Sequence, residues 1–360
     1  MIKYELRQIT MKERMKSIDI LRGLTIVFMI QFHFYIFWTK QNYGFIGEII
    51  FFFGSLAAPF FLIISGISFF ILIDKRRCSG ITKSKVLLEV IKRALFIFTL
   101  STLCQLLFGF IFSMHISSII YWSVFQVIAF SMLIFFIIHF LKRNLRIFLY
   151  LLLLFLIFLI NYAILLFKNE ILYTLVEGTF PFIPWANCFI FGLIIGDLLI
   201  NSFKDRPNRK LLITLPIGIM TFSIWLLLAN GISNLINISF FIMVFGIFLI
   251  LFSVCYFSLD VKKLNFPLLR TLICWGKLSF SIYYIQFAII VGGIIIFPLL
   301  MSELYLFGFS VYHYIIILLI SFLALGLFIK LWHKFDYILG IEWLMNKLIH
   351  KSMFSGKIKK

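Results

Sequence analysis

Apolar residues in this chain come in long runs rather than at a helical or strand period, and short polar segments separate the runs. A helix needs about 20 consecutive apolar residues to cross the hydrocarbon core of a bilayer. Ten stretches qualify: 18–38, 47–73, 87–112, 118–140, 147–167, 182–201, 211–230, 235–257, 275–300 and 309–332. The pattern therefore predicts an all-α polytopic membrane protein of about ten transmembrane helices. It forms one integral-membrane domain over 1–360, with the spans between 18 and 332 and a basic tail over 334–360. Pro59 predicts a kink or an interfacial lead-in to the second span. Residues 171–181 are too few to span and are expected at the outer surface. The tail segment Ile341–His350 is amphipathic and basic, which fits a helix lying on the inner leaflet with Trp343 at the interface.

Composition agrees with this pattern. Of 360 residues, 63% are hydrophobic and 13% charged, and mean hydropathy is +1.10; soluble chains are roughly half apolar and a quarter charged. A net charge of +19 would point to nucleic acid in a soluble protein. Here the cations follow the loops instead. All but two of the 33 Lys and Arg fall in 1–22, 74–93, 142–146, 204–210, 262–277 and 330–360. The two exceptions, Lys40 and Lys168, lie in the alternate loops. The positive-inside rule then places both termini in the cytoplasm and predicts a multi-pass protein of the cell membrane, with membrane lipid and not nucleic acid as its surroundings. No cleavable signal peptide is expected. Cys78, Cys104, Cys188, Cys255 and Cys274 have no metal-ligand spacing, so no metal is predicted.

Polar residues inside the spans are the candidates for chemistry, because an ionisable group in hydrocarbon is retained for a reason. Asp19, Arg22, Ile26, Met29 and His33 share one stripe of the first span. Asp19 and Arg22 are three apart, and Arg22 and His33 are eleven apart, close to three full turns and about 16 Å of helix rise. An ion pair near one surface thus lines up with an imidazole deep in the span. An imidazole there suits proton removal from a hydroxyl or amine. Glu48, opening the second span on the same side, is placed to orient or charge-balance His33, or else is a solvated helix-end carboxylate. Ser65 and Gly66 are small enough to admit a helix or a ligand chain. Arg76, Arg77 and Arg93 belong to a basic cluster between the second and third spans. Topology accounts for most of it, while a buried arginine such as Arg93 suits a phosphate. Asp19 is taken as the only local carboxylate for Arg22 and Arg93. Gln105, Gln126, Asn161 and Asn187 read as amides that bond across helices.

Four blocks carry a resemblance. Ser17-Ile-Asp-Ile-Leu-Arg-Gly-Leu24 leads on to His33. Pro59 to Ser68 is an apolar run ending in Ser-Gly-Ile-Ser before a basic loop. Pro181-Phe-Ile-Pro-Trp-Ala-Asn-Cys-Phe-Ile-Phe-Gly192 follows, with Gly196 a turn on. The last is Trp275-Gly-Lys-Leu-Ser-Phe-Ser-Ile-Tyr-Tyr-Ile-Gln286, with Gly340-Ile-Glu-Trp343 in the tail. Together they resemble the integral-membrane acyltransferases, which include the heparan-α-glucosaminide N-acetyltransferase-like proteins and acyltransferase family three. The Arg-ten residues-His spacing is similar to the latter. Residues 39–46 hold no histidine, unlike the heparan branch, and Gln286 stands where that branch often has histidine.

The resemblance implies transfer of an acyl group, acetyl first among the candidates, from cytoplasmic acyl-CoA to a carbohydrate or lipid-linked acceptor. His33 and Glu48 would be catalytic. Asp19, Arg22, Ser65, Gly66, Arg76, Arg77 and Arg93 would hold the donor. The competing expectation from the residues is a transporter or flippase with a buried polar site, although no internal repeat supports it.

Overall fold

The structure, a computed structural model, describes residues 15–38, 44–111, 122–167, 179–202, 214–222, 224, 236–300 and 310–354. The protein is an all-α, polytopic membrane protein. Its helices are α1 (Lys16–Trp38), α2 (Phe45–Cys78), α3 (Lys83–Ile111), α4 (Val124–His139), α5 (Arg143–Phe167), α6 (Phe182–Asp197), α7 (Ile236–Cys255), α8 (Pro267–Lys277), α9 (Ser279–Leu300), α10 (Val311–His333) and α11 (Ile341–Phe354). Short π-helical turns extend α6 over Leu198–Ser202 and α7 over Tyr256–Val261. Among the described residues, six helices are long and apolar enough to cross a membrane, or seven if the bent pair α8–α9 is one span. Half of the expected span 211–230 lies outside the described residues.

The chain forms two compact units. One comprises Met1–Met15 and Pro59–Val261, the other Lys16–Ala58 and Lys262–Lys360. Helix α2 contributes to both, and the division falls at Pro59, which sits inside the helix.

In the Lys16–Ala58/Lys262–Lys360 unit the core is a stripe on α1. Ile26, Ile30, Phe34 and Trp38, spaced by four, stack on one face and meet Trp275, Leu278 and Ile282. Ile26 also lies on the stripe of Arg22 and His33, and both of these polar residues reach the same helices, Arg22 at Gly276 and His33 at Gln286. The expected span 275–300 contains a sharp bend near its start. The chain breaks at Leu278, and α8 and α9 meet at 88°. The break leaves the first N–H groups of α9 without helical partners. Glu342 of α11 supplies one: its Oε1 accepts from Phe280 N (2.7 Å) and Ser281 N (3.2 Å), and its Oε2 accepts from the Ser281 hydroxyl. Ile341 N in turn donates to Ser281 Oγ at 2.9 Å. A carboxylate at a helix N-terminus also meets the positive end of the helix dipole.

In the other unit α2 and α6 pack backbone to backbone. A Cβ on Gly66 would strike the Phe189 carbonyl, and one on Gly192 the Ile63 carbonyl, with the two glycine Cα atoms beside each other. Only the absence of side chains permits this approach. Helices α3 and α4 are joined by amides, as expected: Gln126 Nε2 donates to Gln105 Oε1 at 2.9 Å and to Thr102 Oγ1 at 3.3 Å. Ser123 caps α4 in a reciprocal capping box with Gln126.

Candidate functional site

The unit that contains α1 brings three of the expected residues onto one helix and adds partners from α8 and α9. Arg22 Nη1 lies 3.5 Å from Asp19 Oδ1, and also donates to the Gly276 carbonyl at 3.4 Å. Asp19 is buried, so its carboxylate depends on that guanidinium and other polar neighbours for compensation. Two glycines allow the crossing. A Cβ on Gly23 would meet the Leu272 carbonyl, and one on Gly276 would meet the Asp19 carbonyl. The Arg22-Gly23 and Trp275-Gly276 pairs, 253 positions apart in each case, are therefore two sides of one contact.

Further along α1, His33 Nδ1 lies 3.0 Å from Gln286 Nε2 of α9. Phe287 packs on the imidazole at 5.0 Å between ring centroids, and Tyr283 stands edge-on at 6.4 Å. Phe32 and Phe37 flank it on α1. Gln286 is buried, and its Oε1 has no hydrogen-bond partner among the described residues. An amide offers either a donor or an acceptor to a ring nitrogen, and the tautomer of the ring decides which. Tyr314 of α10 closes this side by donating to the Gln31 carbonyl at 2.8 Å. Glu48 is exposed in the first turn of α2.

The remaining candidates lie in the other unit. Arg76 Nη2 and Arg93 Nη2 both reach Glu89 Oε1, at 2.8 and 3.4 Å. The expectation that Asp19 is the only local carboxylate is thus corrected: Glu89, one turn before Arg93, serves two arginines. Arg77 is exposed. Ser65 donates to the Phe61 carbonyl of its own helix at 2.7 Å, and Gly66 forms the α2–α6 contact described above.

Sequence reasoning also passed over Asp197. It is fully buried at the end of α6 and accepts from Arg143 Nε at 2.9 Å and from Arg146 Nη2. Arg146 Nη1 further donates to the His139 carbonyl at 2.9 Å. A lone acid in an apolar helix, with two arginines at the start of the preceding helix, was the available signal.

Among the described residues no group of three His, Cys, Asp or Glu is arranged to hold a metal ion. No curated protein matches the chain. The family model for the catalytic region of heparan-alpha-glucosaminide N-acetyltransferase matches residues 14–230. That match takes in the Asp19–His33, Pro59–Ser68 and Pro181–Gly192 blocks. It covers more than half of the 360 residues. A multi-pass helical membrane protein carrying those blocks in that order belongs to the heparan-alpha-glucosaminide N-acetyltransferase catalytic-domain family, a group of acetyltransferases.

Proposed function

We propose that the protein moves an acetyl group from cytoplasmic acetyl-CoA to a carbohydrate or lipid-linked acceptor at or beyond the cell membrane, with His33 as the general base. The observation that carries this reading is the pairing of His33 with Gln286 on the face of α1 that also holds Arg22. The structure has Gln286 Nε2 at Nδ1; with the amide turned over, so that Oε1 accepts from Nδ1–H, the imidazole keeps its proton on Nδ1 and a free lone pair on Nε2. That lone pair takes the proton of an acceptor hydroxyl or amine as its oxygen or nitrogen attacks the thioester carbonyl. The C–S bond then breaks, and the proton passes to the departing CoA thiolate.

Arg22 is proposed to hold a donor phosphate, with Asp19 orienting its guanidinium. Arg22 lies about 16 Å from His33 by helix rise, a separation that an extended donor can span. Gln286 takes the orienting role that Glu48 was expected to play, since Glu48 is exposed at its helix end. Arg76 and Arg93 share one carboxylate, so their interaction with anions is moderated by Glu89.

The test is a purified His33→Gln protein, assayed for acetyl-CoA binding and for transfer to extracted membrane glycans. Transfer is expected to fall about a hundredfold or more, the usual scale for loss of a general base, while donor binding survives. Full transfer activity in that variant would remove His33 from the mechanism. A wild-type protein that binds no CoA would remove the donor assignment.

A further inference from the structure

A cavity of about 740 Å³ lies in the unit that contains α1, lined by residues of α1, α8, α10 and the turn after α10. It belongs neither to the His33–Gln286 pair nor to the Arg22–Asp19 pair. Its volume is that of sites that enclose a whole small organic molecule. The walls are apolar: Leu272 and Trp275 on one side, Leu323 and Leu327 on the other. Leu323 and Leu327 are more than 60% exposed, so this wall continues onto the face α10 turns to its surroundings. In a membrane-spanning helix that face meets acyl chains.

Two cations, Arg270 and Lys330, are among the lining residues. Arg270, Lys330 and His333 are all exposed and all line the cavity, whereas its lining contains no carboxylate. Among the described residues neither Arg270 nor Lys330 is paired with an acid. Arg270 is held by a hydrogen bond from Nε to Asn265 Oδ1 at 2.9 Å, which leaves the rest of its guanidinium for another acceptor. The cavity thus has an apolar body and two basic residues in its lining, on the side of the chain where Lys262, Lys263 and Lys277 also lie. Basic pockets beside transmembrane helices suit anionic lipid headgroups.

We propose that this cavity is a binding site for an anionic phospholipid. One acyl chain occupies the leucine- and tryptophan-lined body, and the headgroup phosphate rests on Arg270 and Lys330 with His333 beside it. A free anion would use the cations but leave the body empty, and a neutral lipid would fill the body but leave two cations without a partner. The proposal does not depend on the acyl-transfer reading.

Gly326 provides a clean handle. It lines the cavity, and a Cβ added there meets nothing within 4 Å, so a side chain can start from this position without a clash at its root. The experiment uses the full-length protein in phosphatidylcholine nanodiscs carrying a small fraction of photoactivatable phosphatidylglycerol or, in parallel, phosphatidylcholine with the same diazirine chain. Crosslinks are mapped by mass spectrometry. Phosphatidylglycerol is expected to label α8 and α10 preferentially, Gly326→Trp to abolish that labelling, and Arg270→Gln and Lys330→Gln each to reduce the preference for phosphatidylglycerol about fivefold. Excess inorganic phosphate or CoA should leave the labelling unchanged. Equal labelling by the two lipids in the wild type would overturn the proposal. So would labelling that persists in Gly326→Trp, or displacement by CoA or phosphate.

Discussion

His33 and Gln286 are 253 residues apart and meet at hydrogen-bond distance. Their pairing gives Gln286 a role separable from simple packing. If the amide sets the tautomer of the ring, Gln286→Leu should reduce transfer and shift the pH–rate profile, because an unoriented imidazole samples both tautomers. Gln286→Asn, with the same amide on a shorter stem, should recover only part of the activity. An unchanged pH profile in Gln286→Leu, with activity lost, would mark the residue as packing alone. The sequence exposes one half of this pair and hides the other. A histidine some fifteen residues into an apolar run stands out against lipid, and its register with Arg22 follows from 3.6 residues per turn. A glutamine in a later span looks like any amide that bonds across helices, and nothing local links it to His33. The same holds for Glu89, inside the expected span 87–112, because only the fold brings Arg76 onto it beside Arg93.

Helix contacts in both units rest on glycines whose partners are remote in sequence. The Gly23–Gly276 crossing and the Gly66–Gly192 crossing each leave no room for a Cβ. Gly66→Leu and Gly276→Leu are each expected to destabilise the protein by about 1–3 kcal/mol or more, the range for overpacking a well-filled contact. Gly292→Leu, where an added Cβ meets nothing, is the control. Thermal unfolding of the purified variants measures the difference. Asp197→Asn makes a second test, since it leaves Arg143 and Arg146 without their buried acid. Breaking one side of such a group costs about 3–5 kcal/mol, and a variant that melts like the wild type would show the cluster to be structurally idle. Run length made the helices legible, and the motif blocks contained these glycines in plain view. What the blocks could not reveal was that the first pairs with the fourth and the second with the third. The break at Leu278 was also hidden, because Trp275 to Leu300 reads as one apolar stretch, and the carboxylate that caps it lies in the tail.

Across the whole molecule, the division of Lys and Arg between alternate loops predicts cytoplasmic termini. A cysteine introduced at Ser79 should resist an impermeant reagent in intact cells, and one at Gln41 should react; the reverse pattern would invert the topology. The capping of α9 by Glu342 has a consequence for how the chain is made. Ribosomal synthesis proceeds from N- to C-terminus, and elements made first begin to fold first. Helix α9 therefore reaches the bilayer while its capping carboxylate, 62 residues downstream of Phe280, has not yet been polymerised. The N–H groups of Phe280 and Ser281 must wait for it, bound meanwhile to water or headgroups. A nascent chain halted after Leu339 should be inserted yet open to proteolysis near Leu278, and one extended through α11 should resist. A segment made after α9 thus completes its N-terminus, and a quality-control protease that reads the uncapped break could tell chains that have docked α11 from those that have not.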